Sequence, residues 1–164
     1  NEWKEIKLCV NDALVQLNNF RDLEGNSILK DFEERLGKIG ACLDEIKKLD
    51  LIRINSIKER IRSNIEDVIG KGKIDENRFE QELIYYVEKL DINEEKVRLK
   101  THLDYFLETC KETSAGRKLN FISQEIGREI NTIGSKANDA PMQKLVVLMK
   151  DELEKIKEQA NNVL

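Results

Sequence analysis

The most regular stretch of this sequence covers residues 142–163, which read MQKLVVLMKDELEKIKEQANNV. A seam of apolar residues recurs along it at alternating steps of four and three. This spacing puts the seam on one face of an α-helix and the charged side chains on the other. Asn138 or Asp139 can cap the helix, and Pro141 falls in its first turn, where proline is tolerated. The stretch therefore predicts a long amphipathic helix that packs against other helices.

The same helical spacing extends upstream over nearly the whole chain, and no stretch shows the alternation of a strand. Glycine and polar residues interrupt it, which predicts a turn at 21–26, a bend at 49–52 and a helix end at Gly70. The predicted fold is all-α: the second and third helices form a long antiparallel helical hairpin, and a C-terminal helical bundle follows. The predicted helices cover residues 3–20, 28–46, 54–68, 75–90, 91–110, 119–133 and 142–163.

The composition is typical of long, charged helices, because charged residues make up 37% of the chain, aromatic residues 5%, and proline occurs once. No apolar run approaches the length of a membrane span, so no membrane partner is expected. Three cysteines without paired spacing indicate buried thiols in the reducing cytoplasm, where we expect the protein to reside. The chain opens on Asn1 inside an amphipathic pattern, which predicts a fragment of a longer polypeptide.

Residues 116–136 differ from the rest of the chain in charge. They carry four basic and two acidic residues, a local charge of +2 in a chain whose net charge is −4. A basic segment with many hydrogen-bonding groups on an acidic molecule predicts a surface where a polyanion docks. The basic residues are Arg117, Lys118, Arg128 and Lys136, and the amides and hydroxyls are Gln124, Asn131, Thr132 and Ser135.

The predicted fifth helix has a polar face beside its apolar stripe. This face is formed, at steps of four, three and four, by Asp91, Glu95, Arg98 and His102. On the predicted sixth helix, Glu125 and Glu129 lie one turn apart, and two carboxylates at this spacing can share a divalent cation. His102 is the only histidine of the chain, and an imidazole can move a proton at neutral pH. If the two helices pack antiparallel, both polar faces line one cleft.

Each of these residues also has an ordinary structural interpretation. A single histidine beside an apolar stripe is often a packed residue and no catalyst. Glu125 and Glu129 can form helix salt bridges with Arg128 and other basic neighbours. Asp91, followed three residues later by Glu94, can be a capping box that opens the fifth helix. Spacing alone leaves these alternatives open.

Two adjoining stretches read RKLNFISQE at 117–125 and REINTIGSK at 128–136. They resemble the YicC family of bacterial proteins, which are described as stress-induced proteins or endoribonucleases. The resemblance implies that residues 1–72 are the helical tail of an N-terminal domain and residues 73–164 a C-terminal helical domain. Asn120 stands where the family usually has an aspartate. Further stretches that resemble the family are 21–25, 79–83, 91–95, 98–103 and 145–159.

The resemblance also implies a function. Members of the family are described as divalent-metal-dependent endoribonucleases that assemble as ring-like hexamers, so we expect a homo-oligomer that cleaves single-stranded RNA with Mg²⁺ or Mn²⁺. The implied catalytic residues are His102, Glu125 and Glu129. The implied metal ligands are Glu82, Asp91, Glu125 and Glu129. The implied RNA-binding residues are Arg98, Arg117, Lys118, Gln124, Arg128, Asn131, Ser135 and Lys136.

Two other functions fit the same residues. The chain can be a non-catalytic RNA-binding or adaptor protein that assists another ribonuclease, since the basic segment supports binding as well as cleavage. It can also be a structural module whose helix seams mediate oligomerisation. Few aromatic residues lie near the basic segment, which predicts weak base stacking and low sequence specificity.

Overall fold

The computed structural model describes residues 2–70, 75–161 and 163. All regular structure in these residues is helical, so the predicted all-α class is confirmed. None of the described helices is both long enough and apolar enough to cross a membrane. The helices are α1 (Glu2–Ile69), α2 (Glu76–Leu90), α3 (Asn93–Thr109), α4 (Gly116–Ala137) and α5 (Ala140–Ala160).

The first helix, α1, is continuous over 68 residues, so the predicted antiparallel hairpin is wrong, and so is the turn predicted at 21–26. The residue that suggested the turn is Gly25. A glycine inside a helix costs about 1 kcal/mol relative to alanine, which is too little to end a helix that continues favourably on both sides. No proline occurs in α1 to interrupt its ladder of hydrogen bonds.

The bend predicted at 49–52 is also wrong, because the buried stripe of α1 passes through it in phase. The stripe continues there, at steps of four, three and four, with the buried residues Ile46, Asp50, Arg53 and Ile57. Its two polar members interrupt the apolar pattern of the sequence but leave the helix intact, since their side chains are hydrogen-bonded inside the fold. A buried ion pair thus has the same sequence signature as a break.

The middle of α1 forms a four-helix bundle with α3, α4 and α5. In this bundle α1 packs against α3 and α5, and α4 packs against the same two helices. The rings of Phe32 on α1 and Phe106 on α3 meet edge to face, with 5.1 Å between their centroids, which is a favourable geometry for an aromatic pair. The short helix α2 lies at the edge of the bundle and buries Phe79 and Leu83.

The apolar stripes predicted for the last two helices are confirmed. The seam of α5 is buried from Met142 to Ala160, and the stripe of α4 is buried from Leu119 to Ile133. The α4 helix extends to Ala137, beyond its predicted end. Because packed interiors yield little, this core holds α4 in a fixed position and thereby orients the polar side chains on its other face.

Glycine ends α1, and aspartates cap the starts of α2 and α5, where the sequence predicts. Gly70 follows α1 with a φ of 90°, a conformation that suits glycine. The Asp75 carboxylate accepts hydrogen bonds from the first amides of α2, and Asp139 caps α5 in the same way. The other residues of the predicted break after α1, 71–72, lie outside the described residues.

The capping box predicted at the start of α3 is wrong, because the N-cap residue is Ile92 and not Asp91. The Asp91 carboxylate, one position earlier, accepts a hydrogen bond from the Asn93 amide at 2.9 Å. Glu94 does not reach back toward Asp91, because its carboxylate pairs with Arg98 one turn further along the helix. The charge of Glu94 therefore belongs to the polar face of α3.

The first part of α1, residues 2–27, is exposed along its whole length, and we name it the α1 arm. The apolar stripe predicted for the first helix lies on this arm and is unburied: Trp3 is 75% exposed and Phe20 61%. An apolar stripe of this length in water indicates a contact surface. The stripe consists of Trp3, Ile6, Val10, Ala13, Leu17 and Phe20.

The three cysteines are all free and lie in different environments. Cys9 is exposed on the α1 arm, contrary to the predicted burial, whereas Cys42 and Cys110 are half-buried. Burial raises the pKa of the Cys110 thiol to about 11.

We expect Cys9 to react with iodoacetamide at pH 8 far faster than Cys110. The thiolate is the reactive form, and at pH 8 a thiol with a pKa of about 11 is ionised in roughly one molecule in a thousand. Timed quenching and mass spectrometry of the peptides give both rates, and the rate at Cys110 should climb as the pH is raised toward 11. Equal rates at pH 8 would contradict the burial of Cys110.

Candidate nucleic-acid interface

Helices α3 and α4 run antiparallel, and two ion pairs show how they are aligned. The Nε atom of Arg98 lies 2.9 Å from Oε1 of Glu129, and Nζ of Lys136 lies 2.8 Å from Oε1 of Glu95. The polar faces of the two helices therefore line one groove, as antiparallel packing predicts. This α3–α4 groove is formed by Glu95, Arg98 and His102 of α3 and by Glu125, Glu129 and Lys136 of α4.

Two carboxylates of the groove are buried, since Glu95 is 3% exposed and Glu129 7%. A buried carboxylate is costly unless a cation and hydrogen bonds compensate it. Arg98 supplies this compensation to Glu129 and pairs with Glu94 as well. Lys136 supplies it to Glu95. The hydrogen bond from Arg98 to Glu129 raises the pKa of Arg98, so its guanidinium keeps its charge at any physiological pH.

Glu95 was not predicted as a site residue, yet its carboxylate links the two cations of the groove. It lies 2.8 Å from Nζ of Lys136 and 3.6 Å from Nη2 of Arg98. Its spacing from Asp91 and Arg98 had placed it on the polar face of the helix. Spacing does not show that this face turns toward α4, and so the burial of Glu95 could not be predicted.

His102 lies one turn beyond Arg98 on α3, and the alignment of the two helices puts it level with Glu125 on α4. The imidazole is half-buried, and no ion pair or side-chain hydrogen bond joins it to another described residue. An unpaired imidazole beside a groove is available to exchange a proton with a bound molecule.

The predicted metal ligands do not converge. The Glu125 carboxylate lies 2.7 Å from Nη1 of Arg128, and Glu129 is held by the arginine described above. Asp91 accepts a hydrogen bond from the Asn93 amide at the start of α3, and Glu82 lines a cleft between α1 and α2. Among the described residues, no three His, Cys, Asp or Glu side chains form a group that could hold a metal ion. The arrangement does not fit the predicted metal site, and metal dependence stays a prediction.

The solvent-facing side of α4 carries a stripe of residues at alternating steps of four and three, all exposed. It contains two arginines, two amides, a hydroxyl and a phenylalanine but no acidic residue. Arg128 is 71% exposed in its side chain and turns toward Glu125 at the edge of the stripe. Such a surface is complementary to an anionic ligand. This α4 stripe consists of Arg117, Phe121, Gln124, Arg128, Asn131 and Ser135.

Five of the eight predicted RNA-binding residues lie on the α4 stripe. The other three lie beside it and form ion pairs with acidic residues. Arg98 and Lys136 hold the buried carboxylates of the groove. Lys118 pairs with Glu112 at 2.7 Å and lies 4.8 Å from the ring centroid of Tyr105, a cation–π contact. Of the two arginines on the stripe, Arg128 pairs with Glu125, and Arg117 has no ion-pair partner among the described residues.

A buried polar cluster lies below the groove and was missed by the sequence analysis. The Arg53 guanidinium donates to Asp50 at 2.7 Å, to the Ala137 carbonyl at 2.6 Å and to the Leu90 carbonyl at 2.7 Å. Lys96 donates to the second oxygen of Asp50 at 2.7 Å. Arg53 therefore joins α1 to the C-terminal ends of α2 and α4. Lys96, which lies on α3, joins that helix to α1 through Asp50. This cluster fixes one end of the α3–α4 groove.

The fold and the site together define the class of this protein: an all-helical domain with a basic, acid-free helix face beside a groove of paired charges. Within this class the chain belongs to the YicC family. The family model described as "Endoribonuclease YicC-like, C-terminal" matches residues 46–164. The match begins inside α1, and the predicted domain boundary at 72 stays a prediction.

Curated relatives match over nearly the whole chain. The chain is 38% identical over 163 residues to the "Probable endoribonuclease YicC" of Clostridioides difficile (strain 630). This match covers 98% of this chain and 56% of the relative. It is 29% identical over 161 residues to the "Probable endoribonuclease YicC" of Haemophilus influenzae, and this match covers 98% of this chain and 55% of the relative. The chain therefore spans about half the length of these relatives.

Proposed function

We propose that this chain is the C-terminal part of an endoribonuclease that cleaves single-stranded RNA, and that the α4 stripe and the α3–α4 groove form its RNA site. The observation that carries the proposal is the α4 stripe, an acid-free basic face on a chain with a net charge of −4. The names of the two relatives support the same activity.

In this proposal the two parts of the site have different tasks. The exposed arginines of the α4 stripe, Arg117 and Arg128, bind phosphates, and its amides and hydroxyl add hydrogen bonds to the RNA. Phosphodiester cleavage further requires a group that moves a proton and a cation that stabilises negative charge on the phosphate. The oxygen of a water bonds to phosphorus while the bond from phosphorus to the leaving sugar oxygen breaks. His102 takes the proton of the water and returns it to the leaving oxygen, and Arg98, paired with Glu129, stabilises the charge on the phosphate.

Metal dependence is a separate part of the proposal. A divalent ion would polarise the phosphate and lower the pKa of a bound water. Because Glu125 and Glu129 each pair with an arginine, no step is assigned to such an ion. Cleavage measured with Mn²⁺ and with a chelator tests this part independently of the RNA-binding residues.

Replacing Arg128 with alanine is expected to weaken RNA binding about equally for all sequences and to reduce the salt slope by about one. The physical reason is that each phosphate contact releases about one counterion, whichever base lies next to it. The slope comes from titrations of a fluorescent single-stranded RNA at several salt concentrations. Arg60→Ala, an exposed arginine of α1 outside the site, is the matched control. An unchanged slope in Arg128→Ala would remove Arg128 from the site.

A non-catalytic RNA-binding or adaptor function is the second candidate, and one observation favours it. Both predicted catalytic carboxylates, Glu125 and Glu129, are already neutralised by arginines. The two candidates differ in the behaviour of Glu129→Gln. An enzyme loses cleavage and keeps RNA binding, whereas an adaptor shows no cleavage to lose.

We also propose that the apolar stripe of the α1 arm joins copies of this protein into a homo-oligomer. Replacing Val10, in the middle of the stripe, with aspartate is expected to lower the mass measured by light scattering, because a carboxylate in an apolar contact is poorly solvated. Asn19→Asp, off the stripe on the same arm, is the control. A mass that is unchanged in Val10→Asp would exclude the arm as an assembly surface.

A further inference from the structure

Phe121 is an exposed aromatic residue in the α4 stripe. Its side chain is 60% exposed, while its neighbours on the core face of the helix, Leu119 and Ile122, are buried. The core of the bundle is therefore complete without it. Single exposed apolar residues are common on protein surfaces, so exposure alone carries no argument. The groups around the ring distinguish Phe121 from such residues.

The ring of Phe121 is flanked along the helix by groups suited to nucleic acid. Arg117 lies one turn before it and Gln124 one turn after it, and Arg128 follows a turn later. With a rise of about 1.5 Å per residue, the arginines lie about 6 Å and about 10 Å along the axis from Phe121. An aromatic ring between two cations presents a face for a base and charges for the phosphates on both sides.

We propose that Phe121 is a stacking platform on which one base of a single-stranded RNA lies while Arg117 and Arg128 hold the neighbouring phosphates. The inference rests on the proposed function and deepens it, because it names the part of the RNA that the α4 stripe reads. The proposal differs from the expectation of weak base stacking, because the exposure of Phe121 was not evident from the sequence.

The rest of the stripe favours RNA over a protein partner. A protein contact needs a contiguous apolar patch with few charges at its centre. Phe121 is the single apolar residue among the six of the α4 stripe, which has two arginines; the acid at its edge, Glu125, is paired with Arg128. Every base has a π-face, so the platform accepts any sequence but requires an unpaired base. It therefore predicts preference for single strands over duplex.

The test is a titration of the full chain with single-stranded RNA that carries 2-aminopurine, a base whose fluorescence falls when it stacks. Wild type, Phe121→Ala, Phe121→Leu and Phe121→Trp are compared. Loss of the ring is expected to weaken binding by about 5- to 100-fold and to abolish the quenching that binding causes. Tryptophan should restore both, and leucine, which is apolar but has no ring, should not. Tyr85→Ala removes a ring of similar exposure (57%) on α2 and is the control.

The outcomes separate this inference from the function on which it rests. If wild type binds no RNA, the proposed function fails. If RNA binds with an Arg128-dependent salt slope but Phe121→Ala matches wild type, the function stands and the platform is overturned. If leucine restores binding as well as tryptophan does, the contact is apolar and the platform is again overturned. If Phe121→Ala changes the mass of the chain without RNA, Phe121 belongs to a protein interface, and the platform is overturned.

Discussion

Replacing Arg53 with methionine is expected to lower the free energy of unfolding by about 3–5 kcal/mol. Arg53 and Asp50 are both buried, and the guanidinium also satisfies carbonyls at the ends of α2 and α4. Methionine fills part of the space but leaves a buried carboxylate with Lys96 as its remaining cation and leaves the carbonyls without a donor. Urea unfolding followed by circular dichroism gives the free energy difference.

The matched control for this change is Arg60→Met, because Arg60 is an exposed arginine two turns further along the same helix. A substitution of an exposed residue is expected to change the free energy of unfolding by about 0.5 kcal/mol or less. If both variants were as stable as wild type, the buried cluster would not join α1 to the other helices.

Replacing His102 with glutamine is expected to lower the rate of RNA cleavage about 10²- to 10⁴-fold, the usual contribution of a general acid or base. RNA affinity should stay within about twofold of wild type, since the contacts assigned to the phosphates lie on α4. His102 has this role because it is a half-buried imidazole without a hydrogen-bonding partner among the described residues and lies beside the paired charges of the groove. Single-turnover cleavage of a labelled RNA by the full-length protein measures the rate.

The neighbouring residue gives the control for this prediction. Thr101 is exposed, and its hydroxyl donates to the Val97 carbonyl of its own helix, so Thr101→Ala should cleave at the wild-type rate. A His102→Gln variant that also cleaves at that rate would show that the imidazole is a packed residue. The charge stabilisation assigned to Arg98 could then be tested separately.

Apolar spacing predicted the helices of the bundle well, because the residues that face its core are almost all apolar. The seam of α5 and the stripe of α4 were read directly from steps of four and three. The same rule failed in α1, where Asp50 and Arg53 take core positions. A periodicity rule treats a polar residue as a break, and it cannot show that two such residues pair with each other across one turn.

The chemistry of the candidate site and the antiparallel meeting of the polar faces of α3 and α4 were predicted from the sequence, but the burial within the groove was not. The basic and amide-rich segment of α4 was evident from charge and composition. Its division into an exposed stripe and a groove of paired charges depends on which face of α4 meets α3 and α5, and a single helix does not contain that information. For the same reason the burial of Glu95 and the exposure of Phe121 could not be predicted.

In the proposed function, the α3–α4 groove cleaves RNA bound on the α4 stripe. Its most direct test is cleavage of an end-labelled single-stranded RNA by the full-length protein, wild type beside Glu129→Gln, with RNA binding measured on the same samples. We expect that wild type cleaves and that Glu129→Gln binds RNA but has lost cleavage, because Arg98 loses the negative charge that pairs it with α4. Cleavage by Glu129→Gln at the wild-type rate, or RNA binding by wild type without any cleavage, would contradict it.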